Sequence, residues 1–148
     1  MKIPNQDILE YVKTQRVCIL AVEMLDGSPH AATVHFAHNE NPLTFFFETN
    51  REYRKCEALF GRDVTRASLV IGFDEVQPRT FQLDGNVRLL NDDEKGVFDE
   101  IYFAKFPKKI KDKDKSGFVQ FVFLPTWWRF TDWTCPEGKL ILNSDENS

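Results

Sequence analysis

Thr49, Asn50, Arg54 and Lys55 stand in one short stretch, FFFETNREYRKCEALF, residues 45–60. Between them they offer a hydroxyl, an amide, a guanidinium fork and an ammonium. Those are donors that a phosphate monoester takes well, the Arg through its planar fork and the Lys as a point charge. The phenylalanines before them read as a buried strand. Cys56, Leu59 and Phe60 follow at i, i+3 and i+4, which is helical spacing. The stretch therefore predicts a strand running directly into a helix, with Asn50 as its N-cap. Free N–H groups and the dipole at a helix start also favour an anion. On this placement Arg54 and Lys55 lie about one turn in and reach back toward the same point. A plainer alternative stands beside it: a solvated helix face whose cap is Thr49 and Asn50.

Other residues carry weaker signals. His30, His35 and His38 fit no standard zinc spacing and have no thiol or acidic partner beside them, so no metal is expected. Cys18, Cys56 and Cys135 are an odd number with no close pair. Cys18 and Cys56 fall on apolar patterns and read as buried thiols in a reducing, cytoplasmic setting. The run from Lys105 to Lys115 (Lys105, Lys108, Lys109, Lys111, Lys113, Lys115) is diluted by Asp112 and Asp114. It is either a solvated loop or a surface that draws an anionic substrate or cofactor. Asp92, Asp93 and Glu94 suit a helix N-terminus.

The elements that would position these groups are legible in outline. With 148 residues, 42% of them hydrophobic, 14 of them Phe, the chain reads as one domain, 1–148, with a real core. The net charge of −4 argues against nucleic acid as the main partner. No run approaches the ~20 apolar residues of a membrane span, and the N-terminus lacks a signal-peptide pattern. A short helix opens at Pro4 or Asn5. VCILAVEM is a strand, and Asp26-Gly27 marks a hairpin. A second strand covers about 30–37, HNENP is a loop, LTFFFE is the third strand and SLVIGF the fourth. RTFQLDGNVRLL alternates, with Phe81, Leu83, Val87 and Leu89 on one face and Gln82, Asp84, Asn86 and Arg88 on the other. NDDE resembles a capping box ahead of a helix with Val97, Phe98, Ile101 and Tyr102 as its stripe. A charged loop follows. Pro125 divides the last strands, FVQFVFL and WWRFT, and the tail from about 143 frays. Six or seven strands, three short helices and tight turns predict a mainly β fold, an antiparallel barrel with peripheral helices.

The order of these features resembles the pyridoxamine 5′-phosphate oxidase-like family of FMN-binding split barrels. The resemblance runs from about residue 5 to 133. The family's T-N-x-x-S-R-K segment is matched by Thr49, Asn50, Arg54 and Lys55, with Tyr53 in place of the serine. The resemblance implies a six-stranded split barrel in which these residues hold the FMN phosphate. LDGSPHAATVHF resembles the family's strand after D-G-x-P, whose backbone lines the flavin ring. This maps to Ala32, Thr33, Val34 and His35. The family's oxidases carry an Arg at the start of that strand and a Lys at its end, where this chain has Ala32 and Ala37. That departure counts against the same substrate more than against FMN. RTFQLDG resembles R-Q-V-x-x-x-G: Arg79 and Gly85 match, and Thr80 replaces a flavin-contacting Gln, with Gln82 a further candidate. The C-terminal R-L-H-D-R of the oxidases is missing. PTWWRFTDWTCPEGKL instead looks like the short bacterial members grouped as general stress proteins. There Trp127, Trp128 and Arg129 either approach the flavin across a dimer interface or serve as core. The resemblance implies a cytoplasmic homodimer with FMN between protomers, and an oxidoreductase using a small-molecule substrate or nicotinamide electron donor. Two alternatives stay open: a non-catalytic flavin-binding or stress protein, and a related barrel holding deazaflavin or heme.

Overall fold

A computed structural model describes residues 1–113 and 115–145. Asn5 caps the first helix, α1 (Gln6–Lys13), its side chain accepting from the Ile8 N–H at 3.0 Å. Ile8, Leu9, Tyr11 and Val12 on that helix are buried. Strand β1 (Val17–Glu23) then pairs with β2 (Pro29–His35). The Asp-Gly turn joins them, with Gly27 at a φ of 86°, a value at which Gly has no Cβ to clash. The chain continues through β3 (Ala37–Glu40), β4 (Leu43–Asn50), α2 (Lys55–Gly61), β5 (Thr65–Ile71) and β6 (Arg79–Leu89). A 3₁₀ turn with the expected capping box of Asn91 and Glu94 leads into α3 (Lys95–Lys105). After a second 3₁₀ turn at Pro107–Asp112 come β7 (Phe118–Asp132) and β8 (Leu140–Asn143).

Every pairing is antiparallel. The order is β2-β1-β5-β6-β7-β4-β3, with β8 also on β7. The sheet curls into a half-barrel, the split-barrel arrangement. Two clusters fill it. Phe36, Phe45, Phe47, Phe81, Phe121 and Phe123 belong to the inner one. The second lies against α3 and contains Phe46, Phe98, Tyr102, Phe103, Phe106 and Val122. Phe45 and Phe47 therefore face one core and Phe46 the other, which is why this strand does not alternate.

Four local expectations change. HNENP is not all loop, because Ala37–Glu40 pairs with β4 as β3 and only Asn41 and Pro42 turn. Pro125 does not split the last strand. Between Asp84 and Gly85 the β6 register shifts, and Gly85 faces Pro125. The bulge takes up Thr126 and spares the proline a central ladder position. A Cβ on Gly85 would lie 2.2 Å from the Leu124 carbonyl oxygen, so the close approach requires glycine. The charged segment after α3 is partly helical, as its 3₁₀ turn; Asp114 lies outside the described residues. The tail is held through Asn143 by β8. Ser144 is buried, its Oγ accepting from the Trp128 N–H at 3.0 Å, and the Lys2 N–H donates to its carbonyl at 3.1 Å. Residues 146–148 of the expected frayed tail are outside the described residues. No helix among the described residues is long and apolar enough to cross a membrane.

Candidate functional site

Pairing with β7 carries β4 as far as Asn50, which stands opposite Phe118. Helix α2 starts only at Lys55, with Arg54 at its N-cap and no side-chain cap. Asn50 is therefore not the helix cap expected from the sequence. Its Oδ1 accepts from the Glu52 N–H at 2.9 Å, a side-chain turn that the strand ladder leaves as its alternative. Arg54 and Lys55 accordingly stand at the first turn rather than one turn in.

The four residues lie at the end of β4 and the start of α2. Thr49 is buried, opposite Val119. Lys55 is only 3% exposed. Among the described residues no carboxylate pairs with its ammonium, which lies 4.7 Å over the Tyr53 ring. Burial holds its pKa below the usual lysine value. Tyr53, at the position of the family's serine, thus supplies a ring face beside the cation. The Cys56 thiol donates to the Asn50 carbonyl at 3.5 Å and ties the helix start to the strand end. Arg54 is exposed and lies beside the β1–β2 turn. There the Asp26 carboxyl is held below its ordinary value by hydrogen bonds from Ser28 first, and in smaller part by the Arg54 charge.

From that turn β2 runs on for about 20 Å, at ~3.3 Å per residue. It is an end strand of the sheet path, so half of its backbone groups point away from β1. Its side chains alternate. Ala32 and Val34 are half-buried and turn inward, whereas Thr33 and His35 are exposed on the other face. A planar ligand along the free edge would meet N–H and C=O groups from every second one of these residues. Across the sheet the register aligns Thr33, Ile19, Val70, Gln82 and Arg129 in one outward row. Gln82 is half-buried and accepts from Arg129 Nη2 at 3.4 Å. Thr80, two residues away on the same face, is buried, and its hydroxyl donates to the Ile71 carbonyl at 3.5 Å.

Trp128 is set apart from these. It is 2% exposed, packs on Phe81 at 5.8 Å, and donates its indole N–H to the Lys2 carbonyl at 2.7 Å. The structure places it in the core, with Trp127 half-buried on the outer face. The bulge at Thr126 sets this: Phe121 and Phe123 point inward before it, Trp128 and Phe130 after it.

Two groupings escape a reading of spacing alone. His38 does have an acidic neighbour, Glu40, with Nε2 and Oε1 3.8 Å apart. Desolvation, and then the charge of Lys105, pushes the His38 imidazole down to about 4. Arg16, Lys105 and Lys109 gather around the Phe106 ring with His35 beside them. Lys105 and Lys109 at i, i+4 were a usable signal, but Arg16 joins them only through the fold. Among the described residues no group of three or more His, Cys, Asp or Glu could hold a metal ion.

Solved structures support the architecture. A general stress protein 26-related protein of the pyridoxinephosphate oxidase family from Clostridium acetobutylicum superposes with a TM-score of 0.65. It is 18% identical, and the match covers 96% of this chain and 95% of that one. A pyridoxamine 5′-phosphate oxidase-related, FMN-binding protein from Nostoc punctiforme gives a TM-score of 0.67 at 13% identity, over 93% and 88% of the two chains. A heme-binding protein from Mycobacterium smegmatis gives 0.75 at 15% identity; the match covers 97% of this chain but 60% of that protein. No curated protein matches the sequence. The family model for pyridoxamine 5′-phosphate oxidase matches residues 5–132, nearly the whole barrel with its strand-end lysine, and the chain therefore belongs to that family.

Proposed function

We propose that the protein is a cytoplasmic, homodimeric FMN-binding flavoprotein that acts as an oxidoreductase on a small molecule, with a nicotinamide nucleotide as a candidate electron donor. The observation that carries this is Lys55, a lysine 3% exposed with no carboxylate partner among the described residues, at the position that resembles the family's phosphate anchor. An isolated buried cation is costly, and an anion bound beside it offsets that cost. Thr49 adds a hydroxyl and Arg54 a guanidinium at the same strand end. Their donor chemistry fits a phosphate monoester.

The remaining residues would place rather than react. The free edge of β2, from Ala32 to His35, offers N–H and C=O groups to a planar ring, and Gln82 with Thr80 offers polar contacts. Bound flavin would supply the hydride chemistry. Val17 and Ile19, 45% and 46% exposed on the outer face of β1, give an apolar surface suited to a second copy. The free cysteines accord with a reducing compartment.

A second reading has heme in place of flavin, favoured by the likeness to the mycobacterial heme-binding protein. An absorption spectrum of the purified protein, with mass analysis of what it releases on denaturation, separates the two. Flavin bands with released FMN are expected. A Soret band would replace flavin with heme, and a colourless protein that also fails to take up added FMN would end the oxidoreductase reading.

A further inference from the structure

We propose that the cavity between the outer face of β4 and β7 and the first half of α3 binds a free amino acid with an apolar side chain, its ammonium at Glu48 and its carboxylate at Arg51. The proposal does not depend on which cofactor the barrel holds.

Alternation along β4 separates this cavity from the proposed flavin anchor. Thr49 shares the barrel face of Phe45 and Phe47, whereas Glu48 shares the face of Phe46, which packs against α3. Gln120 stands opposite Glu48 on β7, and the chain turns at Arg51 directly after β4. The cavity has a volume of about 440 Å³, and Lys95 and Asp99 of α3 lie on its rim. Leu89, Leu90, Phe118 and Val119 give it an apolar wall.

Two lining charges of opposite sign have no ionic partner among the described residues, and they do not pair with each other. Glu48 is half-buried, and Gln120 Nε2 donates to its Oε2 at 3.1 Å. Burial holds the Glu48 pKa above the usual carboxylate value, with Asp112 and Asp99 adding to the rise and Gln120 and Lys109 opposing it. Arg51 Cζ lies 4.9 Å from the centroid of Phe60, which also lines the cavity. The other charges at the rim are engaged: Asp99 with Lys113 at 3.0 Å, Lys115 with Asp112 at 3.0 Å and Lys95 with Asp92 at 3.4 Å.

A carboxylate and a guanidinium that border one space without closing on each other suit a ligand that carries both complementary groups. An ammonium brings N–H donors to Glu48 and a charge that offsets its desolvation. A carboxylate takes the Arg51 fork through two parallel hydrogen bonds. The apolar wall between receives the side chain, as in most small-molecule pockets. A simple anion or a simple cation would satisfy one end only.

The test is isothermal titration of the full chain with L-leucine and L-phenylalanine, beside leucinamide, which lacks the carboxylate, and isocaproate, which lacks the ammonium. Saturable binding of at least one amino acid is expected, with both analogues weaker than leucine by at least about tenfold, the worth of one charged hydrogen bond. Glu48→Gln and Arg51→Gln, each shown to be folded by a thermal melt, should each weaken the amino acid by a similar factor. In Arg51→Gln, leucine and leucinamide should bind alike; in Glu48→Gln, leucine and isocaproate should. Arg54→Ala with Lys55→Ala should leave amino-acid binding intact, which separates this site from the proposed flavin anchor. The analogues probe the same two charges on the parent protein, so the test stands even where a variant fails to fold. No saturable binding of either amino acid, analogues that bind the parent as well as leucine does, or binding indifferent to the Glu48 and Arg51 changes would each overturn the proposal.

Discussion

Lys55 is worth more to a complex than to the free protein. Its side chain is 3% exposed and no carboxylate among the described residues pairs with it, so the charge loses part of its hydration on folding, a cost that a bound phosphate offsets. Lys55→Met keeps the stem and removes the charge. It should leave the unliganded protein equally or more resistant to urea, while FMN affinity falls at least tenfold in a fluorescence titration. A loss of stability with unchanged affinity would make the lysine a packing residue. His38 gives a second test at this scale. The folded chain resists protonating it until about pH 4, whereas an unfolded histidine takes the proton near 6.5. The unfolded state therefore binds more protons between those values. Stability from this group is complete above pH 6.5 and is lost as pH falls toward 4. The window corresponds to about 3 kcal/mol. Urea midpoints across that range should fall less in His38→Gln than in the parent protein. At residue scale the sequence was informative where the pattern is local: Cys18 and Cys56 read as buried thiols from the apolar residues around them, and both are buried and free. Trp128 was not legible, because the choice between it and Trp127 depends on a bulge defined by another strand.

Elements bounded by local chemistry were readable, and those bounded by long-range pairing were not. Asn5, the Asp26-Gly27 turn and the Asn91–Glu94 capping box announce themselves through side chains bonding their own backbone. The extent of β4, by contrast, comes from its ladder with β7, which draws Asn50 into a strand and delays α2 to Lys55. Strands β3 and β8 are short, and their edges follow from their partners rather than from any periodicity. Pro125 misleads for the same reason: a proline reads as a strand break until Gly85 is known to face it across a bulge. That juxtaposition is testable. A methyl group on Gly85 would stand 2.2 Å from the Leu124 carbonyl and 2.9 Å from Pro125 Cα, both backbone atoms. Gly85→Ala should cost about 1–3 kcal/mol, the range of an overpacked site. It should also move the bulge. A lower urea midpoint with altered near-ultraviolet signals from the adjoining tryptophans is the expected result, and an unchanged midpoint would mean the strands part freely there.

At the scale of the molecule, tight turns and the absence of βαβ alternation pointed to an antiparallel barrel. The order of its strands lies in contacts far apart in sequence, such as β6 with β7 and β1 with β5. The sheet leaves an outward row through Thr33, Ile19, Val70, Gln82 and Arg129. Ile19, between Thr33 and Val70 in that row, is 46% exposed. An apolar pair, Ile19 and Val70, with polar residues on both sides of it in the row suits a twofold contact, in which the same face meets itself. It also lies beside the strand proposed to line the flavin. If the cofactor occupies a groove between protomers, dimerisation and FMN binding are linked, and each strengthens the other by mass action. Ile19→Lys puts a charge on each side of such a contact without touching the core. Light scattering should then report a monomer, and FMN affinity should fall with it, although Thr49, Arg54 and Lys55 are untouched. A dimer that survives the substitution would locate the interface elsewhere. A monomer that keeps full FMN affinity would mean that one protomer completes the cofactor site alone.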